Sequence, residues 1–327
     1  MSGTVAQALY FGKLPSRGDF VRSSAGSALI HRIDQWMSQT LELLAEETRW
    51  KLVYDAAAPV HFAVLGVQSH AGLVGHMAAS QDASGRRFPF VMACSFEVPD
   101  PIGFVPYSPQ ALSPVWGRLD ASVRQALQAE DFAQVQEHLV APQAELEVRV
   151  DPLREAYKNY AVAQTLEQFD ASVSPPGGTA VSLRQSALAL GLLLQPVLSQ
   201  GHGDMRKGLL LPLPRDPLLL PHVLTLWVDL VTRFFRRTTA EVGLFVTSYR
   251  QQPVLLMGFH GASSGTLRSV IDADACRADN VAVADAQWVE DWIDSDYGLR
   301  KFSNHLRDPS LSVAAAVDLF RETFLGE

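Results

Sequence analysis

Apolar positions recur along this chain in two periods, one of helices and one of strands. Leu29, Ile30, Ile33, Trp36, Met37, Leu41 and Leu44 fall at helical spacing and predict a helix over about Ser27–Glu47 with one apolar stripe. Before it, Gln7–Leu14 is apolar and aromatic and predicts a short buried strand that stops at Pro15. Asp55–Val60 reads as a connector, followed by three runs of strand composition at His61–Val67, Gly72–Ala78 and Phe88–Glu97. A short turn and the polar loop Ser80–Arg87 separate these runs, so an antiparallel meander is expected. Pro99, Pro101, Pro106, Pro109 and Pro114 mark a crossing. Beyond it, Leu119, Val123 and Leu127, then Phe132, Val135 and Leu139, suggest two helices broken near Glu130-Asp131. A further helix is expected over Leu153–Leu166.

Ser172–Thr179, with Pro175-Pro176-Gly177-Gly178, has the composition of a linker and places a boundary there. That gives an N-terminal domain over 1–171 and a C-terminal α/β subdomain with a helical tail over 180–327. The second part predicts a helix at Leu183–Leu194, a strand at Gly208–Leu213 and a long helix at Leu218–Arg237. Arg233, Arg236 and Arg237 crowd the last turn of that helix, where cations complement its dipole. Glu241–Tyr249 and Pro253–His260 read as a hairpin joined by Arg250-Gln251-Gln252, and Trp288–Tyr297 and Val313–Phe324 as helical. Both halves follow the order strand, long helix, paired strands. A decayed internal duplication would leave that order, although no residues match between the halves.

Composition narrows the class. Of 327 residues, 47% are apolar and 19% charged, which supplies a core and excludes a disordered chain or a coiled-coil rod. With 27 Lys and Arg against 35 Asp and Glu, the net charge is −8, a poor basis for binding a phosphate backbone. Two cysteines, Cys94 and Cys276, cannot build a disulfide framework and suit a reducing compartment. The first ten residues lack the basic and apolar regions of a secretory signal. The greasiest run, Leu188–Leu198, is broken by Gly191, Gln195 and Pro196, whereas a membrane-spanning helix needs about 20 apolar residues. A soluble, cytoplasmic protein is expected.

Candidate chemistry is sparse. Gly12-Lys13 resembles the end of a phosphate loop, but Gln7 and Leu14 stand where a glycine and a hydroxyl residue are needed. Gly261-Ala262-Ser263-Ser264-Gly265 fits the Gly-x-Ser-x-Gly nucleophile elbow. Asp274 or Asp285, then His305, follow in suitable order for a serine hydrolase using Ser263. No oxyanion loop of the His-Gly-Gly-Gly kind precedes it, and a Gly/Ser turn leaving a strand is the plainer reading. Asp272-x-Asp274, Asp294-x-Asp296 and Gly201-His202-Gly203-Asp204 bring acids and a histidine together without the spacing of a metal site, and the aspartates suit helix N-caps. No metal or cofactor is expected.

The N-terminal segment Phe11-Gly12-Lys13-Leu14-Pro15-Ser16-Arg17-Gly18-Asp19-Phe20-Val21-Arg22 describes a strand, an Arg-Gly-Asp turn and a return to apolar residues. It resembles the opening signature of the TagF (ImpM) family. The resemblance continues through Asp34-x-Trp36, Trp50, Tyr54, Pro59, Phe62, Gly66, Gly75 and Ser80-x-Asp82-x-x-Gly85-Arg86-x-Phe88-Pro89. It covers about the first hundred residues, and the long C-terminal region departs from the family pattern. What it implies is a layered α/β fold, a largely antiparallel sheet flanked by helices and similar to longin-type domains, here with a helical C-terminal region. It further implies a non-enzymatic, cytoplasmic, post-translational repressor of type VI secretion that binds a forkhead-associated scaffold protein of the same system. Lys13, Arg17, Asp19 and Arg22 on the first turn, with Arg86 and Arg87 on the second, are the expected partner-binding residues. The competing expectation is that these charges pair with one another, for instance Asp19 with Arg86, and only pin the loop.

Overall fold

The computed structural model describes residues 4–6, 8–140, 144–200 and 205–327. The first half runs β1 (Thr4–Ala6), β2 (Leu9–Gly12), β3 (Val21–Arg22), α1 (Ser27–Ala45), α2 (Trp50–Asp55), β4 (Val60–Gly66), β5 (Ala71–Ala78) and β6 (Phe90–Glu97). Then come α3 (Pro101–Phe104), α4 (Ser108–Gln128), α5 (Ala133–Val140), β7 (Ala144–Leu146), α6 (Val150–Ala163) and α7 (Leu166–Val173). The remainder is α8 (Leu183–Gln200), β8 (Gly208–Pro212), α9 (Leu220–Thr232), β9 (Glu241–Tyr249) and β10 (Gln252–Gly258). It continues with α10 (Ser264–Ile271), α11 (Ala273–Asp279) and β11 (Asn280–Ala282), then α12 (Glu290–Ile293), α13 (Tyr297–His305) and α14 (Val313–Leu325).

Nine strands form one sheet in the order β11-β8-β10-β9-β4-β5-β6-β2-β3, antiparallel except where β11 joins β8. This is the layered, largely antiparallel α/β arrangement expected. The strands read as near-continuous apolar runs because both faces are covered. On β6, Phe90, Met92, Cys94 and Phe96 enter the core under α4, α6, α8, α9 and α14, while Val91 and Ala93 face α1 and α10. The stripe of α1 is buried through Ile30, Ile33, Trp36 and Met37. Trp36 packs edge-on against Phe62, ring centres 5.4 Å apart, and its indole N–H donates to Ser263 O at 3.1 Å.

Ser174–Gly178 does form a connector between α7 and α8, but strands from either side of it meet edge to edge. β9 pairs with β4 from His61↔Val246 to Gly66↔Glu241, and one core draws on both segments. The repeated order of elements does not extend to packing. Antiparallel β4 and β9 could be related by a two-fold only if their preceding helices shared a face, yet α1 lies on one face and α9 on the other.

Several elements depart from expectation. The proline-rich crossing is helical from Pro101, because Pro101, Pro106 and Pro109 each sit in a first turn, where no amide partner is lost, while Pro114 falls inside α4. A capping box at Thr165 and Gln168 splits the expected Leu153–Leu166 helix into α6 and α7. The arginines closing α9 are used in ion pairs rather than against the dipole alone. Arg233 holds the buried Asp229 at 2.8 Å, and Arg233 and Arg236 hold Glu327. The Trp288–Tyr297 stretch is short turns and α12, with the helix proper, α13, starting at Tyr297. No helix among the described residues is long and apolar enough to cross a membrane.

Candidate functional site

β2 and β3 close one end of the sheet, and the turn between them lies against the 80–89 loop. Gly12 makes this approach possible. Its φ is +137°, and a Cβ there would lie 2.0 Å from Pro89 O, so only glycine fits. Ser80 Oγ then donates to Lys13 O at 2.6 Å, while the Tyr54 hydroxyl donates to Ser80 O and accepts from Ser80 N, both at 3.0 Å. Ala83 N donates to Arg17 O at 2.8 Å, joining loop to turn.

Asp82 organises the loop. Its carboxylate is fully withdrawn from solvent and accepts from Ser84 N and Oγ, from Arg86 N at 3.0 Å and from Arg86 Nε at 2.7 Å. Lys13 Nζ lies 3.0 Å away and is itself buried. Burial pushes the Asp82 carboxyl up, but the hydrogen bonds from Ser84, Lys13 and Arg86 outweigh it and hold it below the usual carboxylate range. Arg86 also donates to Gly18 O at 2.6 Å, so one guanidinium spans loop and turn. Arg87 turns away and makes a bidentate pair with Asp55 at 2.7 and 2.6 Å.

The six sequence-predicted residues therefore divide. Lys13, Arg86 and Arg87 are engaged in holding the loop, and the pairing of Asp19 with Arg86 is replaced by Asp82 with Arg86. Arg17, Asp19 and Arg22 are exposed. Among the described residues Asp19 accepts only from Phe20 N, and Arg17 lies over the Phe132 ring at 5.7 Å. Phe20 joins them, 41% exposed, stacked on Phe11 at 5.4 Å and edge-on to Phe88 at 4.9 Å. It stood in the quoted motif, but aromatic residues read as core by default, and only the structure shows its outer face open.

Residues 9–141 match the family model of the TagF N-terminal domain, type VI secretion system-associated. This chain carries a TagF N-terminal domain. The matched region takes in β2 to α5, hence the whole turn and loop just described. Strands β8 to β11 lie beyond the end of the TagF match. Among solved structures, PA0076 from Pseudomonas aeruginosa PAO1 aligns at 20% identity over 42% of this chain and 62% of that chain, with a TM-score of 0.36. The chain thus accounts for less than two thirds of PA0076. No curated protein matches it.

The serine motif falls outside the TagF domain and takes another role. β10, a turn and α10 do supply strand, turn and helix, but Ser263 has φ −73° and ψ 133°, a relaxed extended conformation rather than a strained elbow. Its Oγ accepts from Thr266 N at 3.4 Å as the N-cap of α10. Ser263 lines a cavity of about 340 Å³ with His260 and Asp279. Among the described residues, no hydrogen bond joins its hydroxyl to a histidine or carboxylate. His305 binds Lys301 O at 2.7 Å on α13, Asp274 sits in the first turn of α11, and Asp285 lies in the turn after β11. Asp272 and Asp296 cap α11 and α13. No group of three or more His, Cys, Asp or Glu among the described residues could hold a metal ion. Gly201-His202-Gly203-Asp204 lies outside the described residues.

Proposed function

We propose that this chain is a non-enzymatic accessory protein of a type VI secretion system, acting in the cytoplasm as a post-translational brake on secretion. In this reading it binds a forkhead-associated scaffold protein of the same system and needs no cofactor or nucleic acid. The match of residues 9–141 to the TagF N-terminal domain carries the reading. The geometry supports a protein partner at the end of the sheet. The turn is already ordered by Asp82, Ser80 and Tyr54, so binding there spends little entropy. Its outer surface combines Arg17 and Arg22 with a half-open Phe20, residue types that supply the centres of many interfaces.

The test is calorimetric titration of the purified chain with the scaffold protein, alongside an assay of effector secretion in the host. Arg17→Ala combined with Arg22→Ala should weaken scaffold binding by about tenfold or more, close to 1.4 kcal/mol. It should release secretion while leaving the melting temperature unchanged. Wild-type chain that fails to bind the scaffold sinks the reading, and unchanged binding by the double variant moves the interface elsewhere.

A further inference from the structure

A groove between α6 and α14, two helices beyond the TagF match, carries chemistry that the sheet edge does not use; Tyr107, within the match, also lines it. The two helices run antiparallel. Val313 N donates to Gln164 O at 2.9 Å at one end, and Tyr157 and Arg321 interact electrostatically at the other. The groove has a volume of about 290 Å³. Antiparallel packing sorts its walls by chemistry. At one end stand Arg154 and Lys158 from α6 and Arg321 from α14, with Asp318 the sole carboxylate lining it among the described residues. Toward the other end the walls are Ala161 and Val162 facing Ala314 and Val317. Val162 is 60% exposed, an open apolar lip rather than core.

The charged end is incompletely satisfied. Tyr157 is 4% exposed, and among the described residues its hydroxyl has no hydrogen-bond partner; Nε of Arg321 is buried and likewise unpartnered there. Buried donors without acceptors are costly and call for an explanation. Burial pushes the Tyr157 phenol well above its ordinary value, so it remains a donor. Lys158 makes no hydrogen bond or ion pair among the described residues, and the pair of Arg154 with Asp151 is long, 3.4 Å, and exposed. Arg321 is partly spent: it shares Asp229 with Arg233 and lies 3.5 Å from Asp318. The remaining positive charge suits a monoanion better than a dianion such as a phosphate ester. The volume, at the small end of ligand sites, suits roughly eight carbons rather than a large cofactor.

We propose that this groove binds a small amphipathic carboxylate, with its acid group among Arg154, Lys158 and Arg321 and its short apolar chain along Ala161, Val162 and Val317. Electrostatic attraction in a half-buried groove and burial of the chain then act together, and neither half of the ligand alone is held well.

The probe is octanoate, titrated calorimetrically into the full chain, with octan-1-ol and acetate as the two halves of its chemistry. Octanoate should bind saturably at one site and raise the melting temperature, with octan-1-ol and acetate each weaker by about tenfold or more. Arg154→Gln with Lys158→Gln should weaken octanoate by a similar factor without changing the melting of the free chain, since neither side chain is buried. Tyr157→Phe should melt at the same or a higher temperature when free, its orphaned hydroxyl removed, yet bind octanoate several-fold more weakly. Val162→Asp should also weaken binding by setting a charged, hydrated group beside the apolar tail. No saturable binding in the millimolar range overturns the proposal, as does equal affinity for octan-1-ol and octanoate. Undiminished binding by the double glutamine variant overturns it too.

Discussion

A charge matters most to a fold where its partner is also withdrawn from water, and this separates the polar residues at the end of the sheet. Lys13→Ala leaves the buried Asp82 without its ammonium and should lower the melting temperature by several degrees in differential scanning calorimetry, whereas Arg17→Ala should not move it. Arg87→Ala, which removes an exposed bidentate pair, should fall between them. A second residue-scale device lies under β4 and β5. His61 and His76 oppose each other in register, their Nδ1 atoms 2.9 Å apart, and His76 Nε2 is 3.4 Å from Asp120. Burial lowers both histidines; for His76 the charge of a protonated His61 adds to this, and Asp120 opposes it. Below about pH 6.5 the unfolded chain takes up protons that the folded chain does not, so stability falls on acidification by up to about 1.4 kcal/mol per pH unit for each group. Asp170 works the other way. Burial raises it to about 6, so below that the folded chain takes up a proton first and gains stability. Denaturant melts from pH 7 to 5 should therefore show a steeper loss in wild type than in His76→Gln, which cannot gain that proton. Equal slopes would dismiss the histidine pair as the cause.

At the scale of elements, α1 couples the two segments of the chain through one indole. Trp36 touches Phe62 on β4 and Phe245 on β9 and donates to the backbone entering α10. Trp36→Ala should cost about 3–5 kcal/mol in equilibrium unfolding, the usual range for a buried aromatic. α10 depends on its cap. Ser263→Ala should cost about 0.5–1 kcal/mol, at the low end for such caps because the bond is long. Ester hydrolysis by the purified chain should be absent before and after that substitution, and a fluorophosphonate probe that labels Ser263 would reverse this assignment. The stripe of α1 was legible in the sequence because a half-buried helix must repeat its apolar positions every three to four residues. α4 was not legible at its start, where Pro109, a residue that usually signals irregular chain, falls in the one turn of a helix that tolerates it, and Pro114 lies inside the helix.

At the scale of the molecule, the β4–β9 ladder makes the sheet continuous across the linker. Opening it would bare a central strand edge and the apolar faces beneath α4, α8 and α9. A protease site inserted within Pro175–Gly178 should accordingly yield two fragments that co-elute in size-exclusion chromatography and melt in one transition. Separate elution of folded fragments would mean that the halves are independent domains. The same continuity bears on the proposed brake. The exposed turn of the TagF domain sits at one end of a nine-stranded sheet, on a rigid support well suited to presenting Arg17, Phe20 and Arg22.

The sequence alone determined what depends on local periodicity and local chemistry: the meander of β4 to β6, the hairpin of β9 and β10, the buried face of α1, and the signature that marks the TagF domain. Such features are written in neighbouring residues, because strand alternation, helix stripes and turn residues act over a few positions. Tertiary structure decided which distant residues share an environment. It set Lys13 against Asp82, took Arg87 to Asp55, left Phe20 open, joined β4 to β9 across a proline-glycine linker and used Ser263 as a cap. It also brought α6 and α14 together so that their charges gather at one end of a groove. Each of these is a pairing between segments far apart in the chain. No period or motif encodes it, and only the packing of the complete core chooses it.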